Sequence, residues 1–180
     1  MRYVIVDLEA TCWEKGTHPG RMEIIEIGAV LLPSAEGAPV REFGEFVRPI
    51  QEPVLSKFCV GLTGIQQADV DGAETFAAVL PRFLEWIGQE PYVLCSWGAY
   101  DLGQFRVDCR RHRIAMPSGF ECHINLKQAF AEIQGARPCG MKAALSRLHI
   151  PLEGKHHRAI DDARNIGKIA RVVLPVTRRL

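Results

Sequence analysis

The first segment of the chain has the pattern of a strand buried on both faces. Between Arg2 and Leu8 the residues are mostly apolar on both sets of alternating positions. A strand covered by helices on each side shows this pattern, because successive side chains point to opposite faces. Further strands are predicted at Glu23–Leu32 and Val40–Val47, joined by a turn rich in Ser, Gly and Pro over 33–39. Three consecutive strands predict an antiparallel meander.

Helical spacing dominates the rest of the chain. Apolar residues recur every three or four positions between Glu74 and Gly88, where the glycine is a suitable stop. The other predicted elements are a short helical turn, a fourth strand and four helices: Leu62–Gln67, Pro91–Ser96, Ala99–His112, Asn125–Ile133, Met141–Leu148 and Ile160–Leu174, the last ended by Pro175. Three strands followed by alternating helix and strand predict an α/β fold, a mixed sheet flanked by helices.

Composition narrows the class of protein without identifying it. A chain of 180 residues with 47% hydrophobic content predicts one globular domain over 1–180. Lys and Arg number 22 against 21 acidic residues, so binding to nucleic acid requires local patches. Six dispersed cysteines without a C-x-x-C pair favour free thiols over a zinc ribbon. No secretory signal or membrane-length apolar run is expected, and a reducing cytoplasmic location is predicted.

Two acids close the first strand. Asp7 and Glu9 are two positions apart, so their side chains project from the same face of the strand. Buried carboxylates side by side repel each other unless a cation lies between them. The alternative is a solvated strand end, which the apolar residues up to Leu8 disfavour.

A third acid, Asp101, follows the fourth strand and the Ser96–Trp97–Gly98 turn. The same helix carries Leu102, Phe105 and Cys109 at inward spacing, which favours an inward position for the acid. The alternative is an acid that only complements the dipole of the helix. Proximity to the first two acids would make it a ligand.

The last helix offers two equally spaced pairs, His156 with Asp161 and His157 with Asp162. Asp162 shares a helix face with the apolar residues Ile166, Ile169 and Val173, whereas Asp161 shares one with Asn165 and Lys168. Asp162 is therefore predicted to point inward, with Asp161 flanking the helix start. A histidine five residues earlier would lie in the preceding loop, within reach of a metal-held water.

Oxygen donors of this kind favour Mg²⁺ or Mn²⁺ over zinc, and no competing cysteine or histidine cage is expected. Two such ions about 4 Å apart activate water, orient a phosphate and stabilise the leaving oxygen. The pattern therefore predicts a metal-dependent enzyme that cleaves phosphodiesters.

These motifs resemble those of the DEDDh 3′-to-5′ exonucleases, which have the ribonuclease H-like fold. The matching features are Asp-x-Glu, a mid-chain Asp and His-x-x-x-x-Asp, in that order. More narrowly, DLEATCW, LTGI, SWG-x-x-D and HRAIDDARNI are similar to the Eri-type RNA exonucleases and their bacterial KapD-like relatives. The resemblance spans nearly the whole chain and implies a five-stranded mixed sheet whose first three strands are antiparallel.

The resemblance also implies roles for individual residues. Asp7, Glu9, Asp101 and Asp162 would bind two Mg²⁺ ions, for which Mn²⁺ substitutes, and His157 would act as general base. Ala159 and Ala163 match the family pattern and support His157 over His156. The residues implied to contact substrate are Ala10 and Thr11 at the terminal ribose, Leu62 and Ile65 on the terminal base, Trp97 by stacking, and His157.

Other interpretations of these side chains remain open. Leu62 and Ile65 also suit ordinary core packing, and Trp97 suits support of the turn before Asp101. A run of arginines and the basic residues beside the histidine either hold phosphates or form solvated surface. The members are Arg106, Arg110, Arg111, Arg113, Lys155 and Arg158.

The predicted function is a 3′-to-5′ exonuclease that releases nucleoside 5′-monophosphates from single-stranded RNA or short 3′ overhangs. The expected partner is single-stranded nucleic acid with a free 3′ end, and no membrane. One alternative is a DNA exonuclease of the proofreading or repair type, because the metal chemistry does not distinguish the sugars. Another is a non-catalytic nucleic-acid-binding regulator on the same fold.

Overall fold

A computed structural model describes residues 1–15 and 20–177. Within them, a five-stranded sheet with the order β3-β2-β1-β4-β5 is covered by helices. The strands are β1 Arg2–Ala10, β2 Ile24–Leu32, β3 Arg41–Phe46, β4 Tyr92–Ser96 and β5 His123–Asn125. The helices are α1 Lys57–Thr63, α2 Gln67–Asp71, α3 Phe76–Ile87, α4 Tyr100–Arg111, α5 Leu126–Ile133, α6 Met141–Arg147 and α7 Ala159–Thr177.

Strand β1 lies at the centre of the sheet, as its two apolar faces predicted. Val4 and Val6 pack in one core cluster with α3 and α4, whereas Tyr3 and Ile5 pack in a second with α5, α6 and α7. The first three strands form the predicted antiparallel meander. Strands β4 and β5 join in parallel, so the carboxyl ends of β1 and β4 meet at one edge.

Two predicted helix boundaries are wrong. The segment Leu62–Gln67, predicted as one helical turn, instead includes the end of α1, the gap after it and the start of α2. Ser56 caps α1, and Gly64 ends it in the left-handed conformation. Helix α7 continues through Pro175 to Thr177. In the last turn a proline removes only one backbone hydrogen bond, which the helix tolerates near its end.

Strand β5 has only three residues, and no periodic pattern identified it in advance. The six cysteines are free thiols, as predicted. No helix in 1–15 or 20–177 is long and apolar enough to cross a membrane.

Candidate active site

The predicted acids converge where β1 meets α7. Asp7 and Glu9 project from the face of β1 that α7 covers, at the carboxyl end of the strand. Carboxylate oxygens of Asp7, Glu9 and Asp162 all lie within 4.8 Å of one another. Asp162 is only 4% exposed, which confirms the predicted inward orientation. Asp161 flanks the helix start, where its carboxylate accepts the N–H of Lys155 at 2.9 Å.

Asp101 reaches the same place from the other side of β1. Helix α4 begins after the short turn that follows β4, and its first turn carries this acid, which is buried. The Leu8 N–H donates a hydrogen bond to the Asp101 carboxylate at 3.1 Å. All four acids line one cavity of about 360 Å³.

The histidines lie in the loop that leads into α7. The backbone N–H of His157, a residue in the left-handed conformation, donates to Asp162 at 3.0 Å. The His156 ring nitrogen Nδ1 contacts the same carboxylate at 2.9 Å. The two rings stack with centroids 3.9 Å apart, and both line the cavity.

A histidine-containing group is therefore present, contrary to the sequence-based expectation. Ligand atoms of His156, His157 and Asp162 lie within 4.8 Å of one another. The loop folds back so that both histidines lie beside the first turn of α7. Sequence spacing did not predict that both would lie there. Of the two histidines, His156 already contacts the acid through its ring, whereas His157 contacts it through its backbone.

Crowding of buried acids changes their protonation. Burial, followed by repulsion from Asp101, raises the pKa of Asp7 well above its usual range. Burial, followed by repulsion from Asp162 and Glu26, raises the pKa of Glu9 from 4.5 to about 8. Burial raises the pKa of Asp101 from 3.8 to about 6. The site is thus a concentration of negative charge that is costly to ionise without a cation.

The donor set fits divalent cations. Within the described chain, neither Lys nor Arg forms an ion pair with Asp7, Glu9 or Asp101. Carboxylate oxygens are the ligands that hard divalent ions prefer. These acids would hold the metal, and the ions would offset their repulsion.

The residues implied to contact substrate divide into two groups. Ala10, Leu62 and Trp97 line the cavity, and Leu62 is 38% exposed. The Trp97 indole also donates to the Cys139 carbonyl at 3.1 Å and packs on Phe130, so it supports the turn as well.

Two other residues lie outside the cavity wall. Ile65 has no exposed surface and packs with Ile25, Cys59 and Val70, so core packing is its role in this structure. The Thr11 hydroxyl accepts the N–H of Glu23 at 3.0 Å and is buried.

Two of the basic residues considered for phosphate contacts are bound to acids. Arg111 pairs with Asp108 at 2.6 Å, and its side chain is buried. Arg158 pairs with Glu26 at 3.0 Å. Arg106 and Arg110 instead border a separate cavity of about 390 Å³ on the far part of α4. The arginine run therefore has no single role.

Sequence reasoning missed several residues of the site. Met22, Tyr100, Gly140 and Met141 contribute cavity wall from loops and helix starts, where no sequence pattern marked them. Glu26 was also missed, although it is an acid within a fully buried strand, and that was a signal for a function.

Comparison with known proteins agrees with this geometry. Residues 4–170 match the RNase T family, described as exonuclease. ERI1 exoribonuclease 2 of Mus musculus is 34% identical over 93% of this chain and 28% of its own length. The 3′-5′ exonuclease Snipper of Drosophila melanogaster is 34% identical over 93% of this chain and 67% of its own.

A solved structure shares the whole architecture. The nuclease domain of 3′hExo, a DEDDh family member bound to rAMP, superposes with a TM-score of 0.91 at 30% identity. The match covers 97% of this chain and 92% of that one. By contrast, the chain spans only 27% to 34% of the length of the ERI1 exoribonuclease 2 relatives.

Proposed function

This chain belongs to the DEDDh exonucleases of the RNase T family, and we propose that it degrades RNA from a free 3′ end, releasing nucleoside 5′-monophosphates. The observation that carries the proposal is the convergence of Asp7, Glu9 and Asp162 within 4.8 Å, beside Asp101 and a histidine in one cavity. Relatives described as exoribonucleases and a neighbour described as bound to rAMP support RNA as the substrate.

The four acids would hold divalent ions, and Mg²⁺ is the ion we propose. When bound, such ions activate water and offset charge on the scissile phosphate. Oxygen ligands without a cysteine favour magnesium, with manganese as a substitute. Asp101, held by the Leu8 N–H, and Asp162, held by the His157 N–H, keep fixed orientations that prepare the site.

His157 would accept the proton of the attacking water. Burial, followed by the neighbouring His156, lowers the pKa of His157, so its imidazole is neutral and able to accept a proton near pH 7. Its ring lies in the cavity wall beside Asp162. The second ring, of His156, is engaged with Asp162 and is less free to do so.

The cavity would receive the terminal nucleotide. Its volume of about 360 Å³ lies within the usual range for small-ligand pockets, and apolar side chains form part of its wall beside the acids. Leu62, Met22 and Met141 offer surface on which a base can pack. We also propose a role in RNA processing in the cytoplasm, which the free cysteine thiols support.

Matched oligonucleotides test the proposal. RNA and DNA of one sequence, 5′-labelled and with a free or blocked 3′ end, are incubated with Mg²⁺ or with a chelator, and mononucleotides are quantified by chromatography. We expect stepwise shortening of RNA with a free 3′ end, only with Mg²⁺, and none by Asp7→Asn. Faster hydrolysis of DNA than of RNA would identify DNA as the preferred substrate. Tight binding without hydrolysis would identify a non-catalytic regulator.

A further inference from the structure

Glu26 is a buried acid next to the metal ligands. It is 3% exposed, in β2 between the buried Ile25 and Ile27. It lies directly opposite Glu9 in the antiparallel register, so both carboxylates belong to the same face of the sheet. A buried carboxylate is costly unless it is paired and hydrogen-bonded. The groups that pair with the Glu26 carboxylate therefore indicate its role.

Those partners all belong to the start of α7. The Arg158 guanidinium donates two hydrogen bonds to Glu26, through Nη2 at 3.0 Å and Nε at 3.2 Å. The N–H of Ala159, the first residue of α7, donates to the same carboxylate at 3.0 Å. This N–H has no partner within the helix, and an acid beside it also complements the helix dipole. The carboxylate of β2 thus caps α7.

Two features of the sheet complete this contact. The Arg158 guanidinium also lies over the ring of Phe46, 5.1 Å from its centroid, and Phe46 is the β3 neighbour of Glu26. Gly28 leaves room for the helix start, since a side chain there would place its Cβ 2.1 Å from the Ala159 carbonyl carbon. The backbone of α7 therefore rests directly on β2.

Arg158 lies between the histidine of the loop and the inward-pointing acid of α7. His157 immediately precedes Arg158. The N–H of Asp162 donates to the Arg158 carbonyl at 2.9 Å, one turn further on. A shift of Arg158 along β2 would therefore move the histidine and the acid together, away from Asp7 and Glu9.

We propose that Glu26 and Arg158 are positioning residues, which hold the first turn of α7 against β2 so that Asp162 reaches Asp7 and Glu9. The inference rests on the proposed function of this site. Neither residue lines the cavity, so both act through the groups they hold. Arg158 also balances the charge of Glu26, which would otherwise be a fifth acid beside the site.

The test compares Arg158→Met with Arg158→Lys and with Arg171→Met. The control Arg171 is an exposed arginine of the same helix whose guanidinium donates to the Glu36 carbonyl at 3.2 Å. Isothermal titration of metal-free protein with Mn²⁺ gives the ion affinity, and oligonucleotide hydrolysis gives kcat and KM. Circular dichroism shows that each variant is folded.

We expect Arg158→Met to weaken Mn²⁺ affinity and kcat by roughly 10- to 100-fold, with little change in KM. Arg158→Lys should retain part of both, and the control should match the wild type. Unchanged Mn²⁺ affinity and kcat in Arg158→Met would overturn the proposal, because the ion pair would then only stabilise the fold. Tighter Mn²⁺ binding would also overturn it, since the released Glu26 would then act as an added acid.

A double variant distinguishes the loss of positioning from the effect of leaving the Glu26 carboxylate buried and unpaired. Glu26→Gln together with Arg158→Met leaves no unpaired carboxylate but also no guanidinium bridge. Continued weak Mn²⁺ binding supports positioning, whereas wild-type affinity in the double variant contradicts it. If the wild type binds Mn²⁺ without hydrolysing RNA, the proposed function fails, and the Mn²⁺ affinities still decide the inference.

Discussion

Replacement of Glu9 by glutamine tests whether the buried acids destabilise the metal-free protein. Glu9 is 8% exposed, and its burial, followed by repulsion from Asp162 and Glu26, raises its pKa. Glutamine has nearly the same shape but carries no charge at any pH. The metal-free Glu9→Gln variant should therefore be more stable than the wild type, by an amount that depends on pH.

The sign and size follow from the pKa of Glu9, which is raised from 4.5 to about 8 on folding. Folded protein holds this proton more tightly than unfolded chain, so wild-type stability falls as pH rises from the unfolded pKa through the folded one. One pKa unit corresponds to about 1.4 kcal/mol. Between about pH 6 and pH 8 the stability advantage of the variant over the wild type should grow by about 2 kcal/mol, because the titration levels off near the folded pKa.

Urea unfolding followed by circular dichroism, with a chelator present, measures this difference at several pH values. The matched control is Glu85→Gln, an exposed glutamate of α3 whose replacement should give no pH-dependent difference. A constant difference between wild type and Glu9→Gln across this range would refute the reasoning. Saturating Mn²⁺, at 100 times its dissociation constant, should stabilise the wild type by about 3 kcal/mol and the variant much less.

Four further substitutions test other parts of the site. His157→Ala should keep Mn²⁺ affinity in calorimetry but lower kcat by about 100-fold or more, because a proton acceptor is lost; equal kcat would assign the base to another group. Gly28→Ala should destabilise the fold by about 1–3 kcal/mol and weaken Mn²⁺ binding, because its Cβ meets the backbone of α7. Gly61→Ala, which meets no atom within 4 Å, is the control for both measurements. Leu62→Ala should raise KM for RNA at unchanged stability, because Leu62 reaches the cavity and Ile65 does not. Ile65→Ala should instead lower the free energy of unfolding by about 2–5 kcal/mol, measured by thermal unfolding. The reverse pattern would contradict the placement of these two residues.

Local periodicity was enough to predict the elements that carry the acids. The two apolar faces of β1 follow from alternation, which is a property of every strand. The choice of Asp162 over Asp161 follows from helical spacing, because a residue and its neighbours three and four positions on share one face. Both predictions concern single elements, so the chain order alone supplied the needed information.

Tertiary structure decided what depends on contacts between distant segments. Ile65 is buried rather than in the cavity wall, because α1 ends before Gly64 and α2 begins only at Gln67, which leaves Ile65 in the packed gap between the two helices. The pairing of Glu26 with Arg158 joins residues 132 positions apart, and no local spacing encodes such a pair. The sequence determined which side chains carry the chemistry, whereas packing of α7 on β2 determined where they meet. Burial and electrostatic repulsion depend on distances in space, and those exist only once the chain has folded.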